Sequence, residues 1–439
     1  MIGNDSEKLK VIIIAHYFPP INSTGAKRFQ FISKYLAENA VDVTVITTKK
    51  SSADGAFTEN ISDDVAVIEL DDFGRVVKSV NKNKNDFIPL FSDKLSFKRK
   101  IKNFVMNVFG QLPDPRLPFS LSFLKPKLDP TLRDVLINSN IIIATTPPWT
   151  MVLAGVFIKR RFNKPLIVDY RDHFSENHEM PGNWVAKKVE VLVDKWLVSN
   201  SDHVVTISAP MKQYYLNFTK NISVIMNGYD FHAMEEARQY AKFGQSSKTI
   251  IRYMGVVSPV RIPFAFIEAL YNLSLNEPHK LKKIVVEFYG NASLVKKYVA
   301  ENFSDISEYF QYYDFVSYEM SLRLMIEADY VLFSETSDCK SLSSQGILTT
   351  KLFEYLGSGR PIIANISIET LPGKLILTSG SNHIVTTEVD KLYQYLSNDD
   401  FFRRKNNFFS SIAKDFTRKN QALTYKEVIS RVARNAQSL

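Results

Sequence analysis

A chain of 439 residues with 45% hydrophobic and 23% charged content is globular, and that composition excludes an extended disordered protein. Its length exceeds what one core comfortably organises, so two domains are the default. A formal charge of +9 favours acidic partners such as nucleic acid, anionic lipid or a phosphorylated substrate, and a single cysteine, Cys339, excludes an internal disulfide framework and suggests a reducing cytoplasm.

The chain starts without an apolar signal core, and no apolar run approaches the roughly 18 residues needed to cross a bilayer, so no membrane span is expected. Residues 11–15 form a continuous apolar run, the signature of a parallel strand buried on both faces. A loop from His16 through Gly25 follows, then a helix with Phe29, Ile32 and Leu36 on its inner side, then a strand over residues 41–47. Strand, loop, helix, strand is a βαβ unit of a parallel sheet. With one glycine, this loop is not the Gly-x-Gly-x-x-Gly dinucleotide fingerprint, which argues against an NAD-dependent dehydrogenase. Gly25 still permits close approach of a ligand to the backbone, and Lys27 and Arg28 place positive charge at the helix start.

Residues 94–109 interleave Lys94, Lys98, Arg99, Lys100 and Lys102 with Phe97, Ile101, Phe104, Val105 and Val108. Apolar spacing of three and four beside a cationic face predicts a helix lying in a membrane interface. Each cation near an anionic leaflet adds roughly 1 kcal/mol. A solvated helix packed on the core is the alternative. The proline-fixed segment Leu112-Pro113-Asp114-Pro115-Arg116 follows, then strands at residues 141–144 and 166–168 that run into Thr145 to Trp149 and Asp169-Tyr170-Arg171-Asp172-His173. Loops beyond the carboxyl ends of parallel strands line one crevice, which would gather these two loops with His16 to Gly25. His173, Glu176, His178 and Glu179 fit no established zinc spacing, so no metal is expected there.

Further strands are expected at residues 204–208 and 224–226, before Asn227-Gly228. A polar helical stretch over residues 231–244 then marks the domain boundary. The pattern restarts at residues 250–254 with Gly255, a helix over 265–273, a strand at 284–289 ending in Gly290, and another at 329–333. In residues 346–364, Thr349 or Thr350 can cap a helix whose buried side carries Leu352, Phe353 and Leu356. Gly357 to Pro361 stop it before a buried strand at 362–364. A phosphate would sit at its free amides beside Lys351, and Glu354 could take the hydroxyls of a ribose. A Glu placed there for the helix dipole alone is the simpler reading. The tail, residues 411–432, is expected to be helical and to fold back on the first domain.

Taken in order, these segments resemble family 4 of the retaining, nucleotide-sugar-dependent glycosyltransferases of the GT-B fold, in the branch that builds bacterial surface polysaccharides such as O-antigen and capsule. The resemblance rests on His16-Tyr17-Phe18-Pro19-Pro20 through Gly25 and Arg28, on Pro113-Asp114-Pro115-Arg116, and on Asp169-Tyr170-Arg171-Asp172. It continues in Ile225-Met226-Asn227-Gly228-Tyr229-Asp230 and in Lys351-Leu352-Phe353-Glu354-Tyr355-Leu356 with Gly359-Arg360-Pro361. It implies an α/β protein of two Rossmann-like domains with parallel sheets facing across a cleft. Residues 1–229 would bind the acceptor, 230–410 the nucleotide-sugar, and 411–439 would return to the first domain. It implies donor contacts from Gly25, Gly255, Arg261, Gly290, Lys351, Leu352 and Glu354, acceptor-side roles for His16, Arg28 and Arg171, and catalytic roles for Arg261, Lys351 and Asp172. Gly346 stands where the family commonly has the first of two glutamates, and Val256 where an arginine is frequent.

The expected activity is transfer of a hexosyl group, with UDP-sugar the expected donor and a lipid-linked glycan the expected acceptor. The sequence contains no Asp-x-Asp triplet, so no divalent metal or other cofactor is expected and the cations would carry the diphosphate's charge. The protein would be cytoplasmic and peripheral on the inner face of the plasma membrane, held by Lys98, Arg99, Lys100 and Lys102. A GT-B nucleotide-sugar epimerase and a catalytically weak membrane-attached scaffold are the alternatives; nucleic-acid binding lacks a recognisable motif.

Overall fold

The structure, a computed structural model, describes residues 8–21, 23–50, 61–77, 104–177, 180–244, 246–338, 342–380, 383–403 and 411–437. Lys98, Arg99, Lys100 and Lys102 of the expected interfacial helix lie outside the described residues, as do His178, Glu179 and Cys339; residues 104–109 of that helix are helical. The chain divides into two compact units, Met1–Met226 with Arg418–Leu439, and Asn227–Thr417. The break comes at 226/227 rather than at the expected 229/230, and the returning segment starts at Arg418 rather than at 411.

In the first unit the strands are β1 (Leu9–Ile14), β2 (Val41–Thr48), β3 (Val65–Leu70), β4 (Ile141–Thr146), β5 (Leu166–Tyr170), β6 (His203–Thr206) and β7 (Ile222–Val224). They form a parallel sheet in the order β3-β2-β1-β4-β5-β6-β7. Val11 pairs with both Val43 and Ile141, so β1 is central, and its apolar run is buried on both faces. The order reverses between β1 and β4, the switch point where ligands of such sheets collect. The helix Thr24–Glu38 leaves β1 with Ser23 as its cap, the Oγ accepting from the Ala26 amide at 3.2 Å. Phe29, Ile32 and Leu36 are buried beneath it, each contributing about 1.5–3 kcal/mol of transfer free energy. The helix Arg418–Gln437 completes this layer. Its buried face presents Tyr425, Val428, Ile429 and Val432, with the Tyr425 ring edge-on to Phe29 at 6.1 Å.

The second unit has β8 (Thr249–Met254), β9 (Ile284–Tyr289), β10 (Phe310–Tyr313), β11 (Tyr330–Ser334), β12 (Ile362–Asn365) and β13 (Ile384–Val385). Their order is β10-β9-β8-β11-β12-β13, all parallel, and here the reversal falls between β8 and β11. The helix Phe264–Asn276 buries Phe266, Ile267, Leu270 and Leu273 against one face of the sheet. The helix Thr350–Ser358 leads into β12 and ends at Gly359 in the left-handed region. Among the described residues no helix is long and apolar enough to cross a membrane.

Candidate active site

Polar groups gather at the switch point of the second unit. Gly255 follows β8 and Gly290 follows β9, with φ of +104° and +109°. The Gly255 amide donates to the Tyr289 carbonyl at 2.7 Å. A Cβ on Gly290 would lie 2.8 Å from the Gly255 carbonyl oxygen, so both the dihedral and the close approach require glycine. Lys351, in the first turn of the helix Thr350–Ser358, brings its ammonium to 3.8 Å from the centroid of the Tyr253 ring, and its stem lies beside Gly255. Burial, reinforced by the Arg261 guanidinium, lowers the Lys351 pKa to about 7; Glu335 and Glu354 pull it the other way.

The cap of this helix departs from expectation. Thr349 occupies the capping position but its side chain makes no capping bond, and its Oγ1 is buried without a hydrogen-bond partner among the described residues. The first-turn amides therefore keep no side-chain acceptor from Thr349, and the positive end of the helix dipole stands beside Lys351. An anion with several acceptor oxygens would satisfy such a site. Leu352, expected among the donor contacts, is fully buried and its amide already donates to the Thr349 carbonyl at 3.2 Å, while Glu354 is partly buried one turn further in.

Glu335 was not legible as a site residue. It follows β11, is buried, and accepts from Arg261 Nε at 2.8 and 2.9 Å. Arg261 thus reaches the site anchored to a carboxylate. A glutamate directly after a buried parallel strand was the available signal.

In the first unit, the expected first loop and the proline-fixed segment meet. His16 Nδ1 is 2.6 Å from Thr48 Oγ1, and Arg116 Nε donates to His16 Nε2 at 3.1 Å. Nδ1 therefore carries the proton, since Nε2 accepts from a guanidinium. Burial, then the charges of Lys50, Arg116 and Arg171, drives the His16 pKa to about 2, so this imidazole is neutral. Asp114 accepts from Thr150 Oγ1 at 2.6 Å and lies 3.5 Å from Arg116.

Arg28 is the ion-pair partner of Asp169. Arg28 Nη2 lies 2.8 Å from Asp169 Oδ2, and the guanidinium also donates to the carbonyls of Ile225 and Met226. Tyr425 adds a hydrogen bond to Asp169 at 3.1 Å. Arg171 donates to the backbone carbonyls of Thr146 and Pro147, both at 3.1 Å, and to that of Gly25. Gly25 lies in the first turn of its helix rather than in the loop. A Cβ there would fall 2.8 Å from Arg171 Nη1. Asp172 is exposed. His173 stacks on Tyr215 at 5.8 Å, and among the described residues no group of three His, Cys, Asp or Glu side chains could hold a metal ion.

No protein-family model matches this sequence, and no curated protein matches it. Solved structures do. Sucrose-phosphate synthase from Thermosynechococcus elongatus is similar with a TM-score of 0.62 at 12% identity, over 97% of this chain and 99% of that one. A glycosyltransferase from Rickettsia africae gives 0.58 at 13% identity, over 98% and 100%. Anabaena HepE in complex with UDP-glucose gives 0.54 at 13% identity, over 98% and 100%. At such identities the likeness establishes the fold, and the chain is an α/β protein with the two parallel sheets of the GT-B glycosyltransferases.

Proposed function

We propose that this protein is a glycosyltransferase that takes a sugar from a nucleoside diphosphate sugar bound at the carboxyl ends of β8 and β11. The observation that carries this is the uncapped start of the helix Thr350–Ser358, with Lys351 beside Gly255. The likeness to enzymes of the same fold, one holding UDP-glucose, supports the donor class, and we assign UDP as the nucleotide.

In this reading the first-turn amides ahead of Leu352, together with Lys351, take the diphosphate, and Glu354 takes the ribose hydroxyls. Gly255 and Gly290 keep the backbone low enough for the ligand to approach. The bond between the sugar's C1 and the phosphate oxygen breaks as the acceptor oxygen bonds to C1 from the same face. The acceptor's proton passes to the leaving phosphate, giving retention of configuration. Arg261, Lys351 and the helix N-terminus stabilise the negative charge that builds on the diphosphate, and we assign no metal to the step. In the first unit His16 is a neutral hydrogen-bonding group rather than a proton donor. Arg28, Arg171 and Gly25 shape the loops, and Asp172 orients the acceptor hydroxyl. We further propose a lipid-linked acceptor in the assembly of bacterial surface polysaccharide by a family 4 enzyme. The protein would work on the cytoplasmic membrane face with Lys98, Arg99, Lys100 and Lys102 near anionic headgroups.

A thermal-shift panel of UDP, GDP, CMP and NAD on the wild type and Glu354→Ala tests the donor site. A ligand at about 100 times its dissociation constant adds about 2.7 kcal/mol to folding. The expected result is a shift with one nucleoside diphosphate that Glu354→Ala loses. No shift with any of the four overturns the reading and leaves a non-catalytic scaffold.

A further inference from the structure

The helix Trp184–Ser199 of the first unit turns its acids inward and its tryptophans outward. Glu190 and Asp194 are fully buried. Asp194 accepts from Tyr170 Oη at 2.5 Å, Ser175 Oγ at 2.6 Å and Tyr215 Oη at 3.2 Å. Glu190 accepts from the Gln111 amide at 2.6 Å and Lys187 Nζ at 3.0 Å. These bonds lock the helix's rotation, because turning it would strand two buried carboxylates.

The opposite face carries Trp184, Val185, Val189, Leu192 and Trp196, all exposed, with Trp184 at 71% and Leu192 at 66%. Steps of four, three and four from Val185 to Trp196 make one ridge along the helix. Two of the chain's three tryptophans therefore stand on one solvent-facing stripe, unlike apolar residues scattered singly over a surface. Apart from its two buried acids, the helix has only Lys187, Lys188 and Lys195 as charged residues. Lys188 Nζ lies 4.9 Å from the Trp184 ring centroid, and the Arg160 guanidinium lies 5.3 Å from that of Trp196. The outer face is thus apolar, aromatic and purely cationic.

We propose that this face docks on the surface of an anionic lipid bilayer. The tryptophan rings and Leu192 enter the boundary between headgroups and acyl chains, and Lys188, Lys195 and Arg160 meet the lipid phosphates. A tryptophan's apolar body and polar N–H suit that boundary, and the absence of exposed carboxylates on the helix matches an anionic surface. The inference is independent of the donor site. It rests on the membrane attachment proposed above and assigns that attachment to residues other than the basic segment around Lys98.

The test uses the full chain and sedimentation with phosphatidylcholine vesicles, with and without phosphatidylglycerol. The wild type should partition onto the anionic vesicles. Trp184→Ser/Leu192→Ser/Trp196→Ser should lower the partition coefficient at least about tenfold, since burial of one large apolar side chain is worth that much. Circular dichroism and melting establish that the variant is folded. If it is not, Lys188→Glu/Lys195→Glu, which leaves the ridge intact, should release the protein from the same vesicles. Three results would overturn the proposal: a wild type that ignores anionic vesicles, equal binding by folded variants, or a wild-type dimer in light scattering that the triple variant dissociates. The last would make the ridge an interface between copies of the chain.

Discussion

If the proposed diphosphate binds beside Lys351, the ammonium there makes binding depend on protons in a way that can be measured. Its pKa, about 7 against an ordinary 10.5, reflects burial first and the Arg261 guanidinium second, with Glu335 and Glu354 opposing. At about 1.4 kcal/mol per pKa unit the displacement corresponds to up to roughly 5 kcal/mol, and partial exposure of the residue reduces this to a few. Because the folded pKa lies below the unfolded one, the unfolded chain holds the extra proton between pH 7 and 10.5. The destabilisation is therefore complete below pH 7 and fades as pH rises through that window. A bound diphosphate supplies the missing anion and returns the pKa upward, so binding above pH 7 takes up a proton. Affinity should then fall by up to about tenfold per pH unit from roughly pH 7.5 to 9. Calorimetry at about pH 8.5, well above the phosphate's own second ionisation near 6, in two buffers of different ionisation enthalpy should show uptake of nearly one proton. Lys351→Met should abolish the uptake and weaken binding. Absence of uptake in the wild type, or the same uptake in Lys351→Met, refutes the reasoning.

Asp169→Ala leaves the Arg28 guanidinium buried without its carboxylate, and should cost about 3–5 kcal/mol in urea unfolding of the first unit; a loss below about 1 kcal/mol would mean the pair is no net stabiliser. Gly290→Ala places a methyl 2.8 Å from the Gly255 carbonyl oxygen at a φ of +109°, and should cost about 1–3 kcal/mol while weakening nucleotide binding, both read by thermal shift. The His16 imidazole, neutral with a pKa of about 2, should show constant ring-proton NMR shifts between about pH 5 and 8, and a titration there would contradict the buried network.

The central strands were readable because they are buried on both faces: residues 11–15 and 141–144 are unbroken apolar runs, and both lie at the middle of the first sheet. The edge strands were not. β3 mixes three buried residues with exposed and partly exposed ones, β10 holds four residues with Phe310 alone buried, and β13 has two, so none carries a run long enough to stand out. The positions of Gly255, Gly290, Lys351 and Glu354 at strand ends and a helix start were legible because each lies within a few residues of a recognisable signal. Glu335 was missed because its meaning comes from Arg261, 74 positions away.

Local pattern was enough for the alternation of strand and helix, the parallel sheets and the residues at their carboxyl ends, because burial and backbone conformation repeat over a few residues. Pairing was another matter. Arg28 meets Asp169 across 141 positions, and Arg171 turns to backbone carbonyls instead. Thr349 forgoes its cap, and the helix Trp184–Ser199 presents tryptophan to solvent because two carboxylates claim its inner face. Each of these depends on strand order at the switch points and on which buried group finds a partner first, and that is a property of the assembled core rather than of any segment in it.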